Sequence, residues 1–147
     1  MKRVAILLSA FLFIASISGA SQVVSGLLAK GTKWETPFYS RDSGKPGPTI
    51  ALTGGIHGNE PAGAGAAEQI RHWPIKRGRL IVVPSVNRPG LAKGIRYLPD
   101  EPPARRDLNR NFPKTDSDEP TRGELAQALW ALLKEEKPAW LIDLHEG

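Results

Sequence analysis

An imidazole and a carboxylate stand three residues apart in the stretch Gly54-Gly55-Ile56-His57-Gly58-Asn59-Glu60-Pro61-Ala62-Gly63. Positions i and i+3 share one face where a helix begins, so both side chains can reach one ion. Such a pair also arises on solvated helix faces, and alone it says little. Its flanks argue for a site: an apolar run precedes it, two glycines permit a tight turn, and Gly58 leaves room for a ligand. Two ligands leave a catalytic zinc one short, because such sites use three protein ligands and keep a fourth position for water. The third candidate is His145, in Ile142-Asp143-Leu144-His145-Glu146-Gly147. His72, beside Trp73 late in an apolar-patterned helix, reads instead as a surface or packing residue.

A second group of chemistry-bearing residues lies in Arg105-Arg106-Asp107-Leu108-Asn109-Arg110-Asn111-Phe112-Pro113. Asn109 and Arg110 together offer a guanidinium fork and an amide donor, a combination suited to a carboxylate. The competing reading is a solvated basic loop. Arg96, in Gly94-Ile95-Arg96-Tyr97, is a candidate to aim a further charge at a developing oxyanion. Asp143 can orient a ligand histidine from behind, or serve the strand end structurally.

These residues need elements to position them. Thr49-Ile50-Ala51-Leu52-Thr53 reads as a buried strand that delivers His57 into the turn leaving it, with Glu60 in the first turn of a helix over 61–72. Pro61 fits the first-turn preference of proline. Gly78 precedes a second strand over 79–84, whose unbroken apolar run predicts burial on both faces. Strand, helix and strand at this spacing make a parallel, right-handed βαβ unit. Residues 85–118 form a long loop rich in Pro, Arg, Asn and Asp, and a loop of that length in a compact domain is a functional candidate. A helix over 119–137 follows from the spacing of Leu125, Ala128, Leu129, Leu132 and Leu133, and Pro138 ends it. Residues 139–144 then read as a third buried strand bringing His145 to its carboxyl end, where open α/β sheets gather ligands. Earlier, 34–39 reads as a strand with an aromatic face that Pro37 confines to a sheet edge, and 43–48 as a turn.

The 147 residues suffice for one modest domain. Lys2 and Arg3, the apolar run from Val4 to Ile17 and the small residues Ser18-Gly19-Ala20 have the form of a secretory signal peptide over 1–20. The run is short for a membrane span of about 20 residues. The expectation is therefore an exported chain (periplasmic or extracellular) beginning near Ser21, with no stable membrane span after cleavage. With no cysteine, disulfides and thiolate ligands are excluded, so a metal must be held by histidine and carboxylate. The formal charge of +5 is mixed along the chain and loses Lys2 and Arg3 with the signal, which argues against nucleic acid as a partner. The local excess of arginine between Arg88 and Arg110 points to an anionic substrate group.

His57-Gly58-Asn59-Glu60-Pro61-Ala62-Gly63, Asp107-Leu108-Asn109-Arg110-Asn111-Phe112-Pro113 and Asp143-Leu144-His145 resemble, in order and context, the motifs of the zinc carboxypeptidase superfamily. The likeness is to its succinylglutamate desuccinylase/aspartoacylase branch and runs from about Pro48 to Gly147. It implies an α/β fold with a mixed, largely parallel sheet flanked by helices, incomplete at the C-terminus. It implies one Zn2+ held by His57, Glu60 and His145, a substrate carboxylate bound by Asn109 and Arg110, and Arg96 polarising the scissile carbonyl. The segment from Leu98 to Ala104 looks inserted relative to that family, which leaves Arg105 and Arg106 as alternatives to Arg96. Family members continue past the third ligand to a glutamate serving as general base. This chain stops two residues after His145, and Glu146 does not match that base. The expected reaction is hydrolysis of an amide bond by metal-activated water, in a small peptide or an N-acyl amino acid with a free carboxylate, export favouring the peptide. The alternatives are a non-catalytic exported module binding metal or carboxylates, an inactive fragment, and a plain α/β domain with structural histidines.

Overall fold

The computed structural model describes residues 21–114 and 119–146. The expected signal peptide, the end of the 85–118 loop and Gly147 lie outside the described residues. The apolar runs form the centre of the sheet. Strands β3 (Thr49–Gly54), β4 (Arg79–Val83) and β5 (Trp140–Leu144) are parallel, with β3 in the middle. Successive side chains of a strand enter opposite layers, so a strand covered on both sides is apolar throughout. In β4, Ile81, Val82 and Val83 are all buried. Val82 packs with Leu52 and with Ala67 of helix α1 (Pro61–Ile70). Ile81 and Val83 join the larger cluster on the other side, with Leu125, Leu129 and Leu132 of a second long helix (Glu124–Glu136). Each such aliphatic side chain contributes roughly 1.5–3 kcal/mol by leaving water.

Strand β2 (Thr36–Asp42) pairs antiparallel with β4, and β1 (Gln22–Leu28) antiparallel with β2, giving the order β1-β2-β4-β3-β5. Two pairings are thus parallel and two antiparallel. Four of the five strands nevertheless point the same way, with β2 reversed. This is the mixed, helix-flanked α/β sheet expected from the sequence, with the β3-α1-β4 unit at its heart.

Several expectations need correction. β2 is not an edge strand, because β1 covers it. Pro37 is accommodated because β4 pairs only with Tyr39 to Asp42, leaving the proline beyond β4's reach. β1 carried no clear pattern, and its side chains are mostly exposed. β5 is a strand but not a buried one: it lies at an edge of the sheet, and Trp140, Leu141 and Ile142 are exposed. The first helix stops at Ile70 rather than His72. The later one starts at Glu124 rather than Glu119, since Pro120 and the left-handed Gly123 (φ 82°) interrupt the pattern before it. Inside the supposed loop over 85–118 lie a six-residue helix α2 (Arg88–Lys93), capped by Asn87 and ended by Gly94 at φ 62°, and a 3-10 turn over Leu108–Arg110. The long helix over Glu124–Glu136 is α3.

Two glycines let α1 lie against the strand ends. A Cβ on Gly54 would come within 2.6 Å of the Gly63 carbonyl oxygen, and one on Gly63 within 2.6 Å of the Leu144 carbonyl oxygen. Gly65, two residues further along α1, is exposed and has nothing within 4 Å. Opposite effects are therefore expected from one substitution at two positions of one helix. Gly65→Ala should stabilise by up to about 1 kcal/mol through helix propensity, whereas Gly63→Ala should destabilise by about 1–3 kcal/mol through overpacking. Urea unfolding checks both, and equal effects at the two positions would contradict the packing described.

Candidate metal centre

The turn between β3 and α1 is built to bury a polar group. Gly55 takes a left-handed φ of 67°, which glycine adopts without strain. The amides of Val86 and Asn87 then bond the carbonyls of Gly54 and Gly55 at 3.0 and 2.9 Å, tying the turn to the end of β4. Gly58 donates its N–H to the Arg96 carbonyl at 3.1 Å, and a Cβ there would meet Gly90 at 2.1 Å, so the backbone must pass α2 closely. This turn holds His57 and Glu60 almost wholly out of solvent, at 3% and 5% exposure.

Glu60 occupies the N-cap position of α1 rather than its first turn, and its side chain does not cap the helix. It faces the histidines instead. His57 Nδ1 lies 2.8 Å from Glu60 Oε1, and His145 Nδ1 lies 2.7 Å from Glu60 Oε2. The two rings are 5.0 Å apart. Ligand atoms of His57, Glu60 and His145 all fall within 4.8 Å of one another, close enough to share one ion. The outer ring nitrogens are also engaged. His57 Nε2 lies 3.3 Å from Asp107 Oδ1, and His145 Nε2 lies 2.8 Å from Asp143 Oδ2. Asp143 is itself held by the Thr53 hydroxyl, which donates to Oδ1 at 2.7 Å. A carboxylate on the far nitrogen fixes the ring and its proton, leaving the near nitrogen's lone pair for a metal. Two imidazoles and a carboxylate, each imidazole backed in this way, fit a hard-to-borderline divalent cation.

The electrostatics follow from the contacts. Burial alone would push the Glu60 carboxyl up, but hydrogen bonds from His145, the Glu146 N–H and His57 outweigh it and lower it to about 2. Burial pulls the His145 imidazole down, yet the carboxylates of Glu60 and Asp143 prevail and raise it above its ordinary value. Glu60 is thus an anion in a cationic setting.

Among the candidate arginines, Arg96 is the one against this group, its guanidinium donating to Glu60 Oε1 at 2.8 Å. Arg105 pairs with Glu101 at 3.2 Å, and Arg106 lies over the Tyr97 ring at 4.5 Å. The backbone bond from Leu98 N–H to the Arg106 carbonyl, at 2.8 Å, closes the segment between them. Asn109 is half-buried and shares with Asp143 the lining of an apolar cavity that includes Ile56, Phe112, Trp130 and Leu141. Arg110 is exposed, its guanidinium donating to the Asn109 carbonyl at 3.3 Å. His72 lies apart, 3.7 Å from Glu68 on the outside of α1.

Three contributors were not singled out from the sequence. Asp107 caps the 3-10 turn by accepting from the Asn109 N–H at 3.1 Å while touching His57. An aspartate two residues before Asn109 is a readable cap signal, but its approach to His57 spans 50 residues. Asn87 is fully buried, accepts from the Gly90 N–H at 3.0 Å, and points its amide toward the Arg96 carbonyl. Asn before Arg-Pro, with Gly94 beyond, was its signature. Glu146 accepts from the Ala62 N–H at 3.0 Å, a contact no local pattern announces.

Comparison with known proteins places the chain in a family. The chain is 34% identical over 104 residues to N-alpha-acetyl-L-2,4-diaminobutyric acid deacetylase from Halomonas elongata, a match covering 69% of this chain and 29% of that protein. The fold superposes on the succinylglutamate desuccinylase/aspartoacylase from Rhodobacter sphaeroides with a TM-score of 0.64 and 28% identity, covering 84% of this chain and 39% of the other. A product-bound structure of the ectoine utilization protein EutE (DoeB) from Ruegeria pomeroyi gives 0.64 and 26%, with coverage of 88% and 43%. The chain therefore spans less than half the length of these relatives. The model of the succinylglutamate desuccinylase/aspartoacylase catalytic domain matches residues 46–147, and the chain belongs to that family.

Proposed function

We propose that this chain carries the metal centre of a zinc-dependent hydrolase that cleaves the amide bond of an N-acyl amino acid. The observation behind the reading is the convergence of His57, Glu60 and His145 within 4.8 Å, with Asp107 and Asp143 behind the two imidazoles. Such a set orders the ligands. Bound zinc would supply an acidified water and polarise the carbonyl. The chain's own residues do the rest. Arg96 stands at the rim, exposed enough to meet a developing oxyanion. Asn109 and Arg110 hold the substrate's carboxylate, Asn109 from the lining of the cavity and Arg110 from the exposed position beside it. No residue of this chain is assigned as the general base, since the Glu146 carboxylate is engaged at the start of α1.

An N-acyl amino acid is preferred over a peptide because the Halomonas elongata relative is a deacetylase of an acetylated amino acid. Export remains part of the proposal. It rests on the basic start, the apolar run from Val4 to Ile17 and the small residues before Ser21. No helix among the described residues is long and apolar enough to cross a membrane.

Three outcomes test this reading. Acetate release from an N-acetyl amino acid should stop on chelation and return with zinc; hydrolysis that persists without metal would contradict it. Where activity is measured, Arg96→Ala should lower kcat by about 10²–10³-fold, while Arg110→Ala should chiefly raise KM. Equal effects of both on KM would refute the division of roles. N-terminal sequencing of the protein recovered outside the cytoplasm should begin at Ser21, and retention of Met1 in a cytoplasmic product would remove the export claim.

A further inference from the structure

Glu60 stands at the N-cap of α1 but gives its carboxylate to His57, His145 and Arg96, so the helix start takes its side-chain acceptor from elsewhere. The first amides of a helix have no partner within it, and a side-chain oxygen near them is a favourable acceptor. Glu60 is adjacent to those amides, and a carboxylate there is favoured by the helix start. Glu146 supplies the missing acceptor: its Oε2 takes the Ala62 N–H at 3.0 Å, across 84 residues. The same residue's backbone N–H donates to Glu60 Oε2 at 3.3 Å. Glu146 thus touches both competitors, capping the helix with its side chain and holding the Glu60 carboxylate with its backbone.

From this geometry we infer that Glu146 is a positioning residue of the metal centre: it satisfies the start of α1 in place of Glu60 and so leaves Glu60 free to serve as a ligand. The close seat of Gly63 on the Leu144 carbonyl makes this possible, because it brings the start of α1 to the end of β5, where Glu146 follows His145. The arrangement also couples two ligands. Glu146 is adjacent to His145 and capped onto the helix that begins after Glu60, so its contact closes a loop through both. An acceptor is what the position requires. A glutamine fulfils it, whereas alanine or methionine does not.

The inference rests on the metal-binding reading, and its test separates the two. Zinc affinity, measured by competition with a chromophoric chelator, should fall about tenfold in Glu146→Ala and stay within about threefold of the parent in Glu146→Gln. Should Glu146→Ala fail to fold, Glu146→Met, of similar length and without an oxygen, carries the comparison. In the metal-free chains, exchange of the Ala62 amide should quicken in the alanine or methionine variant and remain slow in the glutamine one. Affinity unchanged in the alanine or methionine variant, or lowered equally in the glutamine one, would overturn the role given to Glu146, as would an Ala62 amide indifferent to substitution. A parent without zinc affinity would instead sink the metal-binding reading, and the amide exchange would still decide whether Glu146 caps α1.

Discussion

The buried carboxylate of Glu60 is the constraint around which this part of the molecule is arranged. An ionised carboxylate out of water costs several kcal/mol unless cations or donors surround it. Here it receives His57, His145, Arg96 and the Glu146 N–H. These four groups arrive from the β3-α1 turn, the end of β5 and the segment after α2. Holding that one group therefore fixes how three separated parts of the chain meet. Three of these donors, His57, His145 and Arg96, are also the ligands and the rim arginine of the proposed chemistry.

Backbone packing makes the meeting possible. The parallel β3-α1-β4 unit sets His57 at a strand's carboxyl end, and β5 beside β3 sets His145 at the same level. Gly54, Gly58 and Gly63 remove the side chains that would hold α1, α2 and the strand ends apart. The aspartate behind His57 comes from the start of the 3-10 turn, 50 residues away, whereas the one behind His145 comes from the same strand end, two residues earlier. A centre assembled this way has its ligands held by hydrogen bonds before any ion arrives. That is what a metal site needs if binding is not to be spent on ordering its ligands.

Much of this was legible in the sequence because it is local. The apolar runs of β3 and β4, the spacing of Leu125, Leu129 and Leu132, and the pairing of His57 with Glu60 are all short-range patterns. What escaped depends on long-range placement. The exposure of β5 follows from its place at the sheet's rim, which an apolar run cannot reveal. Pro37 sits in an internal strand because β4 is too short to reach it, a matter of register. Asp107 and Glu146 act across 50 and 84 residues, and neither distance leaves a mark in the local pattern. The short α2 was missed although Asn87, Pro89 and Gly94 mark its ends, because its polar composition masked the capping signals.

The most direct test of the account is the metal content of the purified chain by elemental analysis, beside His57→Ala and His145→Ala. The account predicts one zinc per chain in the parent and none retained in either variant, with all three folded. A folded parent without bound metal, or zinc that survives both substitutions, would contradict the centre described here.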